Sequence, residues 1–175
     1  MDFDHIKHLL LLWMKKFVER PNSALGEWSP CPYAKSARLN NKIAIISCFA
    51  KNLTEEVNKN LSLLETSEVV VICFDHNDIS ASDCELLVEE LNSKLIHDDY
   101  VILEDHPDSI EYVSGVKMNF GHCGLFVIQK LSKLNEASNK LKSAGYYDYW
   151  DQKSLDNVVT WRYKLPVHTE KKFQS

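Results

Sequence analysis

Glycine is scarce in this chain, and the loop motifs that depend on it are missing. Only five of the 175 residues are glycine. They form neither GxGxxG nor GxxxxGK followed by Ser or Thr, the two arrangements that bring a loop backbone close to a phosphate. The GxSxG turn, which exposes the nucleophilic serine of α/β-hydrolases, is missing too. The sequence therefore excludes nucleotide binding by these loops and gives no support to an α/β-hydrolase.

Long apolar runs and paired cysteines are missing as well. The longest apolar run, residues 9–14, is too short to span a bilayer, and two aspartates precede it where a signal peptide would carry positive charge. The five cysteines are an odd number at wide spacings, and none belongs to a CxxC pair. We therefore expect a cytoplasmic protein with no membrane partner and no disulfide framework.

An excess of positive charge is also missing. The chain has 20 Lys and Arg against 25 Asp and Glu, a formal net charge of -5, and its basic residues are scattered without a stripe. Nucleic-acid binding draws most of its affinity from cationic side chains that displace counterions from phosphates. We therefore do not expect a nucleic-acid partner.

What the chain does have is the composition of one α/β domain. Its residues are 45% hydrophobic and 26% charged, which is ordinary for a globular protein, and its length lies inside the single-domain range. We predict a single α/β domain over residues 1–175, with residues 164–175 as a flexible tail.

Amphipathic segments and continuous apolar runs alternate along this domain. Helical spacing of apolar residues predicts helices over residues 3–19, 53–65, 80–97 and 132–144. Runs rich in β-branched residues predict strands over residues 42–49, 68–74, 100–104 and 124–131. Helical crossovers make the first three strands parallel, whereas the fourth follows the third without a helix and is predicted to pair antiparallel. The predicted fold is a four-stranded mixed sheet, three parallel strands plus one antiparallel, flanked by about four helices.

Three polar or small residues mark the ends of the predicted helices. Ser80 and Ser132 precede helical patterns and are predicted N-caps. Gly145 follows the last pattern and is predicted to end that helix, because glycine readily adopts the left-handed backbone conformation that closes helices.

A cysteine beside a proline is the sharpest local feature of the sequence. If Pro32 opens a helix, Cys31 lies at its N-cap, where free N–H groups and the helix dipole favour a thiolate. Lys35, one turn further on, adds positive charge. Such a thiolate serves as a nucleophile, a redox thiol or a metal ligand. The alternative is a rigid turn in which a small apolar thiol is only packed.

Acidic and histidine residues follow two of the predicted strands. Asp75 and His76 come after the second strand, and Asp105 and His106 come after the third. Ligands of open α/β sheets bind at the carboxyl ends of strands, and two converging Asp-His pairs would suit a divalent metal or acid–base chemistry. A divalent cation is the one cofactor that the sequence suggests. The alternative is that these polar residues only form turns and cap helices.

Further ligand-binding candidates lie near these two features. The segment 106–123 is long for a connection within a domain, and long loops often carry function. Asn119 and His122 lie in this segment and could face the same sheet edge. Tyr33 and Arg38 lie beside Cys31.

The segment Cys31-Pro32-Tyr33-Ala34-Lys35 follows an amphipathic helix and precedes an apolar strand. It resembles the Cys-Pro-Phe-Ala-Lys motif of a bacterial family of uncharacterised proteins, domain-of-unknown-function family 1415. The order of elements is similar over about residues 5–145, and His106-Pro107 matches a His-Pro motif of that family. The chain departs from the family at Asp105, where the family has an aromatic residue. The resemblance implies that Cys31, Lys35 and His106 share a site, and it implies no particular activity.

These features lead to three hypotheses about function. The first is a small cytosolic enzyme in which Cys31 acts as thiolate or ligand, Lys35 stabilises charge and His106 acts as acid–base group or ligand. The second is a non-catalytic module that binds a small molecule or a protein partner through this edge and the aromatic segments 146–150 and 161–163. The third is a metal-dependent enzyme that uses the Asp-His pairs. Substrate, reaction class and oligomeric state stay open.

Overall fold

A four-stranded sheet lies at the centre of the computed structural model, which describes residues 1–163. Its strands are β1 (Ile43–Ser47), β2 (Val69–Phe74), β3 (Tyr100–Asp105) and β6 (Gly124–Lys130), and a separate hairpin is formed by β4 (Tyr112–Val113) and β5 (Val116–Lys117). Each strand of the sheet begins and ends within two residues of its predicted bounds. The predicted flexible tail, residues 164–175, lies outside the described residues.

Helices cover the sheet. The α-helices of residues 1–163 are α1 (Phe3–Trp13), α2 (Ala34–Leu39), α3 (Leu53–Asn60), α4 (Ala81–Leu95), α5 (Leu131–Ser143) and α6 (Gln152–Val158). A π-helical segment, Met14–Val18, extends α1, and 3₁₀ segments span Ser23–Leu25, Ala50–Asn52, Leu61–Glu65, His76–Asp78, Ile96–Asp98, Tyr146–Tyr149 and Thr160–Tyr163. The prediction of about four helices is therefore too low. The two additional helices, α2 and α6, have six and seven residues, which is too short for a helical period to stand out. No helix in residues 1–163 has the length and apolar character needed to cross a membrane.

The order of the strands in the sheet is β1-β2-β6-β3. β1 and β2 pair in parallel, and β6 pairs antiparallel with both β2 and β3. The predicted mixed sheet is confirmed, but the prediction of three parallel strands is wrong: only β1 and β2 form a parallel pair, because β6 inserts between β2 and β3. Since β3 is antiparallel to β6, it still runs in the direction of β1 and β2, and these three strands end at one carboxyl edge.

The apolar core forms two layers, one on each face of the sheet. On one face, Ile6 and Leu10 of α1 pack against β2 and β6. On the other face, α3 and α4 pack against the same strands and against β3. The buried apolar residues of this second layer include Leu53, Val57, Val70, Ile72, Val88, Leu91, Ile102, Phe126 and Ile128. Both faces of β2 and β6 are therefore covered, which explains their continuous apolar sequences.

The helix ends confirm two of the three predictions. Ser80 caps α4, because its Oγ accepts a hydrogen bond from the Asp83 N–H at 3.1 Å. Gly145 follows α5 with φ +82°, as predicted for a helix stop. Ser132 is not an N-cap: it lies inside α5, and its N–H and Oγ both donate to the carboxylate of Asp99 at 2.7 Å. The helix N-terminus is therefore capped by the carboxylate of Asp99, more than thirty residues away, and not by Ser132.

Candidate functional site

The polar residues after β2 form a turn. The Asp75 carboxylate accepts hydrogen bonds from Asn77, from the side chain at 2.9 Å and from the backbone N–H at 3.1 Å. These bonds, the side-chain bond first, hold the pKa of Asp75 below its ordinary value. Asp75 therefore caps the 3₁₀ segment that follows it, which is the structural alternative considered for the strand ends.

His106, the predicted acid–base group, is buried directly after β3, with 2% of its surface exposed. Its Nδ1 accepts a hydrogen bond from the Asp108 N–H at 3.2 Å, and its Nε2 lies 3.1 Å from the Ile79 carbonyl oxygen. Together the two contacts describe a neutral imidazole whose Nε2–H donates to that carbonyl. Both ring nitrogens are thus engaged, and a substrate can reach neither without breaking one of these bonds.

Asp105 and Asn119 tie the long loop to the sheet. Asp105 accepts hydrogen bonds from Asn119 Nδ2 and from the Phe120 N–H, each at 2.8 Å. Asn119 also donates to the Ser109 carbonyl and accepts from the Glu111 N–H. Burial raises the pKa of Asp105 despite these bonds. The buried amide of Asn119 was predicted to bind a ligand. Its donors and its acceptor instead form hydrogen bonds to Asp105 and to the loop backbone.

The predicted metal ligands meet only in part. β6 lies between β2 and β3, so the backbones of the two Asp-His pairs are separated by two strand spacings, roughly 10 Å. The His76 and His106 rings still meet edge to face, with centroids 5.9 Å apart. Nowhere in residues 1–163 do three His, Cys, Asp or Glu side chains gather as a metal site would require. The metal hypothesis therefore gains no support from the arrangement of these side chains.

Cys31 lies before a helix, but it is not the N-cap. α2 begins at Ala34 with Tyr33 at the cap position, and the Cys31 N–H donates to the Val18 carbonyl at 3.1 Å. Although Cys31 as a whole residue is exposed, the pKa of its thiol is raised, with desolvation as the largest cause. Hydrogen bonds from the N–H groups of Tyr33 and Ala34 oppose this effect only in part. The direction is the reverse of the lowered pKa that an activated thiolate needs.

The remaining predicted residues belong to two separate groups. Tyr33 and Lys35 lie exposed at the start of α2, and Arg38 of the same helix forms an ion pair with Glu19. His122 lies exposed in the long loop with its ring 5.0 Å from that of Phe120. In residues 1–163, no hydrogen bond, ion pair or ring contact joins the Cys31 group to the His106 group. The common site for Cys31, Lys35 and His106 therefore stays a prediction.

β1 forms one edge of the sheet, and its hydrogen bonds alternate along the strand. Just before the strand, the Lys42 carbonyl accepts from the Val69 N–H at 3.1 Å. Just after it, the Cys48 N–H donates to the Cys73 carbonyl at 3.1 Å. Because the backbone groups of a strand alternate between its two sides, the even-numbered residues from 42 to 48 face β2. The odd-numbered residues of β1 therefore point these groups away from the sheet.

The outward-facing N–H and C=O groups of Ile43, Ile45 and Ser47 are termed the β1 edge. Within the described part of the chain, none of them makes a hydrogen bond. Ile43 and Ile45 are only half-buried and Ser47 is exposed, in contrast to the buried residues of β2. An edge strand whose outer backbone groups are unpaired can form hydrogen bonds with a strand of another chain.

A groove of about 370 Å³ lies between β1 and α1. This basic groove is lined by Lys7, Leu11, Lys15, Arg38, Asn41, Ile43 and Ile45, and no carboxylate lines it. Two bonds of 2.6 and 2.8 Å join Arg38 to Glu19, so the charge of Arg38 is compensated. Lys7 and Lys15 form no ion pair within residues 1–163. The groove therefore carries unbalanced positive charge in a chain whose net charge is negative.

Two of the most exposed large apolar residues flank β1 in the chain. Leu39, four residues before the strand, is 62% exposed, and Phe49, two residues after it, is 68% exposed. Exposed apolar side chains next to an unpaired strand mark a surface that another molecule would cover.

The opposite edge of the sheet is closed by one side chain. Asn92 of α4 donates from Nδ2 to the Ile102 carbonyl at 2.9 Å, and its Oδ1 accepts from the Ile102 N–H at 2.8 Å. The amide therefore occupies the position that a neighbouring strand would take at the middle of β3. Strand pairing is blocked at β3 and left open at β1.

Compared with protein-family models, curated proteins and solved structures, the chain has no match. The resemblance to domain-of-unknown-function family 1415 is therefore neither supported nor contradicted and stays a prediction.

Sequence reasoning missed the β1 edge and the basic groove, although one signal was present. Lys7, Leu11 and Lys15 recur every four residues and therefore share one face of α1, so the basic residues are not fully scattered. The position of β1 at an edge had no such signal. Its apolar run resembles those of the central strands, and only the pairing of the strands distinguishes them.

Proposed function

We propose that this protein is a non-catalytic binding module that holds an extended segment of a partner protein against the β1 edge. One observation carries the proposal: a half-buried apolar edge strand with unpaired backbone groups lies beside a groove lined by three cationic side chains and no carboxylate, and two of these, Lys7 and Lys15, form no ion pair within residues 1–163. In strand addition, backbone hydrogen bonds supply affinity and side-chain pockets supply specificity. The β1 edge offers the backbone hydrogen bonds, and the basic groove offers the side-chain pocket.

The expected affinity follows from the surface that is available. Each new backbone hydrogen bond contributes about 0.5–1.5 kcal/mol net. An added strand would also cover the exposed parts of Ile43 and Ile45, and apolar burial contributes about 25 cal/mol per Å². A short partner segment therefore binds reversibly, since the cost of ordering it offsets much of this gain.

The basic groove sets the side chains that the partner needs. Lys7 and Leu11 lie on α1 and Lys15 on the π-helical segment that extends it, so the two lysines are eight residues apart, roughly 12 Å along the axis, with Leu11 between them. Four residues of an extended strand cover about 13 Å. Side chains at positions i and i+4 of the partner therefore match the two lysines, and the side chain at i+2 matches Leu11. The expected motif is acidic, any, apolar, any, acidic.

Two other occupants fit the charge less well. If a second copy of the chain paired through the same edge, the two-fold axis would place both α1 helices on one face of the joined sheet, with Lys7 of each copy on the side of Lys15 of the other, so that like charges meet. Residues 164–175 contain three lysines and one glutamate, so this segment also repels the groove. An acidic segment of a different protein is the complementary choice.

The thiol–histidine enzyme receives less support than this binding module. Its acid–base group, His106, is buried with both nitrogens engaged, and the pKa of its nucleophile, Cys31, is raised. A thiol–histidine enzyme needs an accessible imidazole or an activated thiol. The raised pKa predicts that the Cys31 thiol reacts with iodoacetamide more slowly at neutral pH than an unperturbed cysteine does, and that its rate rises at higher pH.

The proposal is tested with a proline at the β1 edge. Ser47→Pro removes an outward N–H that the fold does not use, and Ser47→Ala keeps that N–H as the matched control. The probe is a capped peptide containing Glu-Thr-Val-Thr-Glu, and its binding is measured by calorimetry. We expect Ser47→Pro to weaken binding about tenfold or more, which equals about 1.4 kcal/mol, and Ser47→Ala to change it less than twofold.

Two further readouts decide whether the binding is of the proposed kind. Peptide binding should slow amide exchange at Ile43, Ile45 and Ser47, and a peptide containing Lys-Thr-Val-Thr-Lys should not bind. Equal binding of both peptides, equal binding by Ser47→Pro and Ser47→Ala, or a chain dimer that Ser47→Pro dissociates would each overturn the proposal.

A further inference from the structure

A buried arginine lies among the helices that follow the sheet. Arg162 is 2% exposed, and its Nη2 donates to the Ser138 Oγ at 3.0 Å. Its Nε and Nη1 are also buried, and neither has a hydrogen-bond partner in residues 1–163. A buried guanidinium with two nitrogens that form no hydrogen bond is uncommon, because most buried polar groups have a hydrogen-bond partner.

The charge of Arg162 is uncompensated as well. No carboxylate of residues 1–163 forms an ion pair with it, and desolvation lowers its pKa. Burying a cation without a partner is unfavourable. The planar guanidinium suits carboxylate and phosphate groups, which accept two parallel hydrogen bonds from it. An oxyanion would therefore compensate both the charge and the unpartnered donors of Arg162.

A groove of about 500 Å³ adjoins this arginine. We term it the tyrosine groove; its lining is Ser138, Asn139, Lys142, Tyr147, Gln152, Leu155, Val159, Thr160 and Tyr163. Ser138 and Tyr147 of this lining also contact Arg162. Lys142 brings a second positive charge, and no carboxylate lines the groove. Its volume lies in the range of small-molecule sites.

The walls of the tyrosine groove suit a flat ring. Tyr147 and Tyr163 supply two aromatic faces, and the Tyr163 hydroxyl is held by a hydrogen bond to Asn139 at 2.9 Å. Leu155 and Val159 add apolar surface. Aromatic rings pair favourably with such walls when stacked offset or edge to face.

We propose that the tyrosine groove binds a small aromatic carboxylate, with its anionic group on Arg162 and Lys142 and its ring between Tyr147 and Tyr163. Because Nε and Nη1 are enclosed, a wall residue has to move for the contact to form, and Tyr147, which touches the guanidinium, is the residue expected to move. This site is independent of the β1 edge and of the proposed function.

The experiment observes the idle donor directly. The NMR signal of the Arg162 Nε–H is followed while benzoate is added to the full chain, with neutral benzamide as the matched ligand control. We expect benzoate alone to shift this signal and to raise the melting temperature. Lys142→Ala, a change at an exposed residue, should weaken benzoate binding severalfold while leaving the fold intact. Arg162→Lys keeps the charge but loses the planar donors, so it should weaken binding about tenfold or more.

The other candidate occupant is the chain itself. Residues 164–175 follow directly after Tyr163 and contain one acidic side chain, Glu170. A Glu170→Gln variant that moves the Arg162 Nε–H signal and destabilises the protein would assign the arginine to an internal ion pair and overturn the proposal. Equal responses to benzoate and benzamide, or no response to either, would also overturn it. An unchanged signal in Glu170→Gln together with a benzoate-specific shift supports the ligand site.

Discussion

The two edges of the sheet differ in how their outward-facing backbone groups are treated. At β3, the Asn92 amide bonds both the N–H and the C=O of Ile102. At β1, the corresponding groups of Ile43, Ile45 and Ser47 make no hydrogen bond within residues 1–163. One edge is therefore closed by a side chain of α4, while the other is left free beside the cationic residues of α1.

Under the proposed function, the open edge at β1 selects its partner by charge. Natural proteins protect exposed edge strands because unpaired backbone groups promote aggregation. Here the protection at β3 uses a buried polar residue, which is stable only because both partners are satisfied. The β1 edge has no such cap, but Lys7 and Lys15 lie next to it and repel any incoming strand that is itself basic. In the proposed function, this repulsion takes the place of the side-chain cap found at β3.

The largest effect is expected from removing the cap at β3. Asn92→Ala leaves the buried N–H and C=O of Ile102 without partners, and we expect it to lower the free energy of unfolding by about 2–4 kcal/mol. Chemical denaturation measures this loss, and light scattering should show association through β3. Asn92→Asp is the control: it keeps the acceptor for the Ile102 N–H, but its second carboxylate oxygen faces the carbonyl, so it should also be destabilising. A fully stable, monomeric Asn92→Ala would show that the cap is dispensable.

Amide exchange compares the edges without any substitution. The Ile102 N–H is bonded to Asn92, whereas the Ile45 N–H faces away from the sheet without a partner. We expect Ile45 to exchange at least about 100-fold faster than Ile102. Ile46, whose N–H faces β2 on the same strand as Ile45, is the internal control and should exchange slowly. Similar rates for Ile45 and Ile46 would mean that something covers the β1 edge.

Charge reversal tests whether the basic groove filters the partner. We expect the double variant Lys7→Glu with Lys15→Glu to lose binding of the Glu-Thr-Val-Thr-Glu peptide by about tenfold and to gain binding of its lysine counterpart. Wild-type binding should weaken as salt is added, because the lysines are exposed. The matched control is Lys133→Glu, an exposed site on α5. Unchanged selectivity in the double variant would remove the groove from the recognition of the partner.

The smallest effect is a pH dependence at the closed edge. Burial, followed by Glu85, Glu89 and Asp105, raises the pKa of Glu104 in β3. A raised pKa favours the fold while the group is protonated, and this contribution is lost as the pH rises through the folded pKa. Glu104→Gln should therefore stabilise the protein relative to wild type near pH 7, and the gain should shrink toward pH about 4.

A second glutamate provides a control of opposite sign for this pH dependence. Lys94 lowers the pKa of Glu90 on α4, so the contribution of Glu90 is present at neutral pH and lost in acid. Glu90→Gln should therefore destabilise slightly at pH 7 and have no effect at low pH. Denaturation curves of both variants measure the two slopes, and equal slopes would contradict the assignment at Glu104.

The elements of the sheet were predictable, whereas their arrangement was not. Runs such as Val69–Phe74 predict strands because β-branched residues fit a pleated, buried surface. The same property cannot say which strand lies beside which, and β6 therefore entered between β2 and β3 against expectation. Asn92 shows the same limit. Its place among the apolar residues of α4 is readable, but its partner Ile102 belongs to another element.

The candidate site followed the same division. The residue types at Cys31 and His106 suggested an enzyme. In the structure, however, the Cys31 thiol is desolvated, and both nitrogens of the His106 imidazole form hydrogen bonds within the protein. The stripe of Lys7, Leu11 and Lys15 was visible as a helical period. Only the tertiary structure shows that these residues line a groove beside β1.

The sequence alone indicates the four strands of the sheet and the four longer helices, because these elements depend on neighbours a few residues apart. Packing of the whole fold fixed which strands form the edges, that Asn92 closes one of them, and that Arg162, Lys7 and Lys15 form no ion pair in residues 1–163. The physical reason is that pairing, desolvation and charge compensation depend on groups distant in the chain, and their positions follow from the packing of the whole fold.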